Sequence, residues 1–295
     1  MKIRGSYHLY ALVTILFWSL AYVLTRLSLR HFSAFPLGFL RYGIAAVTLL
    51  PLVLRRGMKP PRRADVPWFL ASGGMGFFLY MILFNRGQAA VTACTASVVI
   101  ATVPVITALF AYVVYREKPT GWQWAAMAVE LIGVMLLTLW NGSLSLNGGT
   151  LWLLLAALCL SAYNLIQRRL LRSYGALQAT AYSIFAGALM LSIFAPAAVR
   201  EAATAPPIQF LYLALLGVFS SAGAYVAWTK AFSLAKQTAS VSNYMFLTPF
   251  LTSLLGFVLV SEVPDRATLI GGGVILLGVF LYNFGGRIAS RLRGK

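Results

Sequence analysis

Ten stretches of roughly 20 mostly apolar residues follow one another almost without pause, at about 8–28, 35–54, 67–85, 91–115, 121–140, 149–167, 177–198, 208–229, 238–260 and 266–285. That is about the length a helix needs to cross the hydrocarbon core of a bilayer. Sixty percent of the residues are hydrophobic and ten percent are charged, far from the mix of a soluble domain. The gaps leave no room for an appended soluble domain. The segments also lack the alternation, over roughly ten residues, that marks the strands of a membrane barrel. The expected fold class is therefore all-α integral membrane, with ten transmembrane helices.

The chain also repeats itself. Thr95-Ala96-Ser97-Val98 returns as Thr238-Ala239-Ser240-Val241, and Pro104, Glu117, Pro119 and Gly133 return as Pro249, Glu262, Pro264 and Gly278, 145 positions on. Ala21-Tyr22 in the first stretch matches Ala162-Tyr163 in the sixth, each followed by basic residues. Five helices per half is an odd number, so the second half enters the membrane from the opposite side and the repeat is a 5+5 inverted one. The expected division is a first five-helix repeat at 1–140, a linker at 141–149 and a second repeat at 150–295 with a basic C-terminal tail. The linker, NGSLSLNGG, is uncharged and Gly-rich. Its Asn141-Gly142-Ser143 fits the N-x-S formula, which carries little weight in a protein of bacterial character. Two similar apolar halves imply a carrier with its site at the pseudo-twofold axis.

A net charge of +18 raises the question of nucleic acid, and the positions of the charges answer it. With the N-terminus in the cytoplasm, 18 of the 24 Lys and Arg fall on the inner side and six on the outer. The positive-inside rule then puts both termini in the cytoplasm. The basic loops face anionic membrane lipids, and nucleic acid is not an expected partner. Lys2 and Arg4 before an apolar run resemble a signal peptide. Trp18, Tyr22 and nine further spans favour a retained first helix. Cys94 and Cys159, in different halves, offer no disulfide or metal spacing. His8 and His31 lie near opposite ends of one helix. No metal or cofactor is expected.

With these residues in place, the layout resembles the drug/metabolite transporter superfamily in its ten-helix EamA-type branch. The resemblance rests on Phe17-Trp18-Ser19-Leu20-Ala21-Tyr22 in helix 1 and on Pro36 to Arg41 in helix 2. It rests further on the twice-used set of Pro104, Glu117-Lys118-Pro119 and Gly133, then Pro249, Glu262-Val263-Pro264 and Gly278. It covers the whole chain. Within the superfamily the aromatic-rich helices are most similar to those of aromatic amino-acid exporters. The resemblance implies an amino-acid or metabolite exporter, multi-pass in the bacterial inner membrane.

A solute site needs polar or aromatic side chains away from the headgroups. Trp18, Tyr22 and Thr25 share a face of helix 1 at i, i+4 and i+7. The other cavity candidates are Tyr80 and Asn85 in helix 3; Tyr163, Asn164 and Gln167 in helix 6; Tyr225 and Trp228 in helix 8, beside Ser221; and Asn243 and Tyr244 in helix 9, beside Ser240 and Thr248. Anchoring belts of Trp and Tyr at the interfaces are the competing reading for the aromatics. As a set, rings and amides fit a small zwitterion or aromatic solute: rings attract an ammonium, and amides hold a carboxylate without a buried charge.

Pro104 and Pro249 are expected inside helices 4 and 9, as hinges or as static kinks. Glu130, deep in helix 5, has Ile275 at its repeat position. It is read either as a proton carrier or, preferred, as the partner of Arg41 at similar depth. Glu117 and Glu262 read as helix caps or loop salt bridges. No paired intramembrane carboxylates and no H-E-x-x-H motif are present, so an integral-membrane enzyme is the weaker alternative. A channel would carry a repeated selectivity motif. The substrate, direction, coupling ion and oligomeric state are not legible.

Overall fold

The computed structural model describes residues 6–91, 93–139, 148–260 and 266–293. Most of the expected 141–149 linker, with Glu262 and Pro264, lies outside them. Among the described residues the chain is helical throughout. Helices α1 (Tyr7–Ser28) and α2 (Ala34–Arg55) are uninterrupted. The third span is composite: α3 (Val66–Gly73), a π-helical stretch (Gly74–Leu79) and α4 (Tyr80–Ala89). The fourth is α5 (Ala93–Ile100) and α6 (Val103–Tyr115), and α7 (Gly121–Leu139) comes after it. The second half opens with α8 (Gly148–Leu170), α9 (Ala176–Leu191) and a short α10 (Ala195–Ala203). Next come α11 (Pro207–Ala214), a second π-helical stretch (Leu215–Gly223) and α12 (Ala224–Leu234). The last elements are α13 (Thr238–Ser242), a 3-10 turn (Asn243–Phe246), α14 (Leu247–Val260) and α15 (Arg266–Arg293).

Among the described residues, eight of the resulting continuous or composite helices are long and apolar enough to cross a membrane, and Gly121–Leu136 and Ile270–Gly285 are shorter apolar helices. Their outward faces are rich in Leu, Val, Ile and Phe, as lipid contact requires.

The two halves interlock. Helix α1 packs on α12 and α14, while α8 packs on α4 and α6. Equivalent hydrogen bonds sit at both seams. Ser19 Oγ donates to Ile15 O at 2.7 Å and to Thr248 O at 3.5 Å. Ser161, 142 positions on, donates to Ala157 O at 2.8 Å and to Val103 O at 3.4 Å. Each serine thus reaches the carbonyl just before a proline of the other half. Arg26 caps the end of α4 through Gln88 O and Val91 O, at 3.2 and 3.1 Å. Arg168 does the same for α12, through Phe232 O, Ala235 O and Lys236 O at 2.6–2.8 Å. At that spacing of 142 the position equivalent to Tyr22 is Asn164, one residue on from the Tyr163 expected from sequence.

Helices α7 and α15 close the bundle against each other. A Cβ on Gly133 would lie 2.8 Å from the Ile275 amide nitrogen, and one on Gly278 would strike the Glu130 side chain. The contact is the same one used twice: Gly133 on Ile275, Gly278 on Glu130. Only glycine lets backbones approach this closely, a feature of packed membrane helices.

The prolines correct an expectation. Pro104 stands in the first turn of α6, after a break at residues 101–102. Pro249 stands in the first turn of α14, after the 3-10 turn. A proline there gives up no intrahelical hydrogen bond. The sequence pattern could not show this, because the apolar run continues through both breaks.

Candidate functional site

Near the middle of the bundle, α1, α2, α4, α12 and the start of α14 surround a cavity of about 20 Å³, room for about one water. Its aromatic walls are Trp18, Tyr22, Tyr80, Phe84 and Tyr225; Ala21, Met245, Thr248 and Arg41 complete it. Tyr80 lies directly after one π-helical stretch, and Tyr225 lies two residues beyond the end of the other. A π turn adds a residue and rotates the helix beyond it, and in both halves that rotation presents a tyrosine to the cavity. The rings pack continuously: Trp18 lies 4.9 Å from both Tyr225 and Trp228, and Phe77 lies 4.9 Å from Tyr225, centroid to centroid.

Arg41 is the charged group of this wall. It is 4 % exposed. Its Nε donates to Ser221 Oγ at 2.7 Å, a residue of the second π-helical stretch, and its guanidinium lies 5.6 Å from the Tyr42 ring centroid. No described residue hydrogen-bonds its two terminal nitrogens, and no described carboxylate pairs with it. The expected Arg41–Glu130 pair is thus replaced by two separate contacts. Glu130 Oε1 accepts from Asn243 Nδ2 at 2.9 Å, over on the α7–α15 side. Depth along a helix does not fix which face a side chain takes, and it is the face that separates these two. Two other lining residues carry buried polar atoms without a partner, Trp18 Nε1 and Thr248 Oγ1.

Of the eleven cavity candidates, the structure brings Trp18, Tyr22, Tyr80 and Tyr225 to this cavity. The others are engaged elsewhere. Trp228 Nε1 donates to Asn164 Oδ1 at 3.0 Å, and Asn164 Nδ2 donates to Thr107 Oγ1 at 3.3 Å, a closed network behind Trp18. Gln167 donates to Ser72 and Ser183, and Asn85 to Ala34 O. Tyr163 is buried against Phe77 and Tyr225. Tyr244 bonds His8 Nδ1 through its hydroxyl, and Asn243 holds Glu130. Sequence reasoning missed Arg41 and Phe84 as wall residues. Phe84 lies at i+4 from Tyr80, a spacing that could have found it.

At one end of the bundle, Glu117 accepts from the Thr238 amide at 2.7 Å and its hydroxyl at 2.8 Å. It therefore caps α13, in keeping with one of its two sequence readings. Arg168, Arg172 and Tyr115 join Glu117 around an open recess of about 340 Å³. Among the described residues no group of three or more metal-ligating side chains occurs.

Bilayer-length helices arranged as two interlocking halves around a buried aromatic and cationic cavity define a membrane transporter. The chain belongs to the EamA-like transporter family, whose model matches it twice, over residues 5–139 and 147–284. A curated relative from Streptantibioticus cattleyicolor, described as a probable terminal-alkyne amino-acid exporter, is 32% identical over 274 residues, covering 92% of this chain and 91% of its own. An S-adenosylmethionine uptake transporter from Rickettsia prowazekii is 26% identical over 251 residues, covering 84% and 82%. A solved crystal structure superposes with a TM-score of 0.77 at 20% identity, covering 95% of this chain and 99% of that one. The last likeness is one of fold.

Proposed function

We propose that this transporter carries an amino acid or a closely similar small solute by alternating access, its carboxylate on Arg41 and its side chain among the rings. The observation that carries this reading is Arg41 itself. An uncompensated guanidinium in a low-dielectric interior is costly, and a carboxylate offers the bidentate partner that its free nitrogens fit. Trp18, Tyr22, Tyr80 and Tyr225 supply faces for an ammonium or an apolar side chain. Amino acids and S-adenosylmethionine, the solutes in the relatives' descriptions, share a carboxylate beside an amine.

In this reading the chain crosses the bacterial inner membrane ten times, in two inverted halves at 1–140 and 150–295 joined by an outer linker at 141–149. Both termini are cytoplasmic, and the basic loops lie against anionic lipid. The direction is export. A cavity of about 20 Å³ is too small for an amino acid, so binding requires its walls to part. The breaks before Pro104 and Pro249, one in each half, are the hinges.

The test is counterflow. Protein in liposomes preloaded with one unlabelled neutral amino acid should accumulate the same labelled amino acid transiently and saturably. Aromatic and aliphatic neutral amino acids form the panel. Flux that rises linearly with concentration, or that ignores the preload, would refute a carrier.

A further inference from the structure

Glu130 has no part in the cavity, yet it is fully buried. Its surroundings are specific. Oε1 accepts from Asn243 Nδ2 at 2.9 Å. Oε2 is buried and has no hydrogen-bond partner. Its side chain lies against the bare backbone of Gly278. The same contact in the other half is made by Ile275 on Gly133. The repeat therefore shows what packing alone needs at this place, and it is an isoleucine. The region of the first half that corresponds to Asn243, residues 98–100, is Val-Val-Ile. Both members of the carboxyl–amide pair are extra to the shared scaffold.

The pair is also well placed. Asn243 opens the 3-10 turn that interrupts the ninth span, and that turn carries Met245 to the cavity wall. A change at Glu130 thus acts on a discontinuous segment rather than on a rigid helix. Other titratable groups face this region. Tyr282 comes from α15, Tyr7 and His8 from the start of α1, Tyr244 from the 3-10 turn, and Glu117 from the α6–α7 connection. No Lys or Arg is bonded to Glu130, so nothing described neutralises its charge except a proton.

We propose that Glu130 is a proton-binding site coupled to transport, the proton entering and leaving at Oε2 as the 3-10 turn moves. A proton from water adds to Oε2 and gives the neutral acid, which fits an oxygen buried without a partner. Loss of the proton to water leaves a carboxylate, which that position cannot hold without hydration. The ionised form then favours the arrangement in which the turn has shifted and water reaches the group. No other bond forms or breaks. The coupling to flux rests on the carrier reading above; the proton site does not.

Glu130→Gln keeps the acceptor for Asn243 and removes the titration. Glu130→Ile installs the residue of the other half and serves if the glutamine variant folds poorly. Wild-type protein in liposomes should accumulate labelled neutral amino acids under an imposed pH gradient and should also show counterflow. The variants should keep counterflow and lose gradient-driven accumulation. Retained gradient-driven accumulation in both variants overturns the proposal, as does wild-type counterflow that ignores the gradient. Infrared titration of the solute-free protein supplies a second reading. A carboxylic-acid carbonyl band that disappears as pH rises, and is missing from both variants, supports the site. Absence of such a titrating band in the wild type overturns it. If no amino acid shows counterflow while the band titrates, the carrier reading has failed and the proton site stands.

Discussion

Replacing Arg41 separates a substrate-binding cation from a structural one, because the two roles predict opposite signs in the solute-free protein. Arg41→Gln removes the charge and keeps a donor of similar reach. For a carboxylate solute the loss is that of charge-assisted hydrogen bonds, about 1.5–3 kcal/mol, or about 10- to 150-fold in Kd at 1.4 kcal/mol per decade. Without solute the balance differs. The variant weakens the 2.7 Å bond to Ser221 but relieves a buried cation without a counter-ion among the described residues, whose desolvation costs several kcal/mol. The solute-free melting temperature should therefore hold or rise. The assay is thermal shift in detergent, run with a responding amino acid and with its carboxamide. Wild type should bind the acid better than the amide, and Arg41→Gln should bring the two together. A variant that melts lower without solute, or that loses acid and amide binding equally, would refute the assignment and return Arg41 to the scaffold.

Packing and the proline breaks give further outcomes. Gly133→Ala places a methyl 2.8 Å from the Ile275 nitrogen and 2.9 Å from Gly271 O; parting α7 from α15 should cost about 1–3 kcal/mol and lower the melting temperature. Gly43→Ala, with nothing within 4 Å, is the control and should be neutral or stabilising by up to about 1 kcal/mol. Trp228→Phe strips the donor from Asn164 Oδ1 at a cost of about 1–3 kcal/mol, and a double-mutant cycle with Asn164→Leu should be non-additive; additive effects would mean the network is not coupled. Pro104→Ala and Pro249→Ala should each slow counterflow at unchanged expression, and full rates in both would remove the hinges.

Legibility in the sequence depends on whether a feature leaves a one-dimensional trace. The duplicated strings pair Gly133 with Gly278 and Pro104 with Pro249, because identity at a fixed spacing needs no geometry. Trp18, Tyr22, Tyr80 and Tyr225 can be named because large polar rings stand out in apolar spans. The π-helical stretches cannot, since one added residue per turn leaves hydropathy unchanged. Yet they decide that Ser221 meets Arg41 and that Tyr80 and Tyr225 face inward. Azimuth is the general gap. Depth puts Arg41 and Glu130 at one level, and the fold turns them toward different neighbours.

The duplication also sorts the residues by task. Ser19 and Ser161, Arg26 and Arg168, and Gly133 and Gly278 occur in both halves and make equivalent contacts. They join first helices to the broken spans of the other half, cap helix ends and close the bundle. A motion that exchanges the roles of the two halves has to use such paired parts. Arg41 is different: the position 142 on is Ser183, bonded to Gln167. Glu130 faces an isoleucine in the comparison of halves, and Asn243 a run of Val and Ile. A carboxylate-bearing solute has no twofold symmetry, so a site at the axis must break the symmetry to hold it one way round. In the function proposed above, a single guanidinium on one wall would do that. The carboxyl of Glu130, on α7 and bonded to Asn243 on the other half's turn, is a second departure from the symmetry.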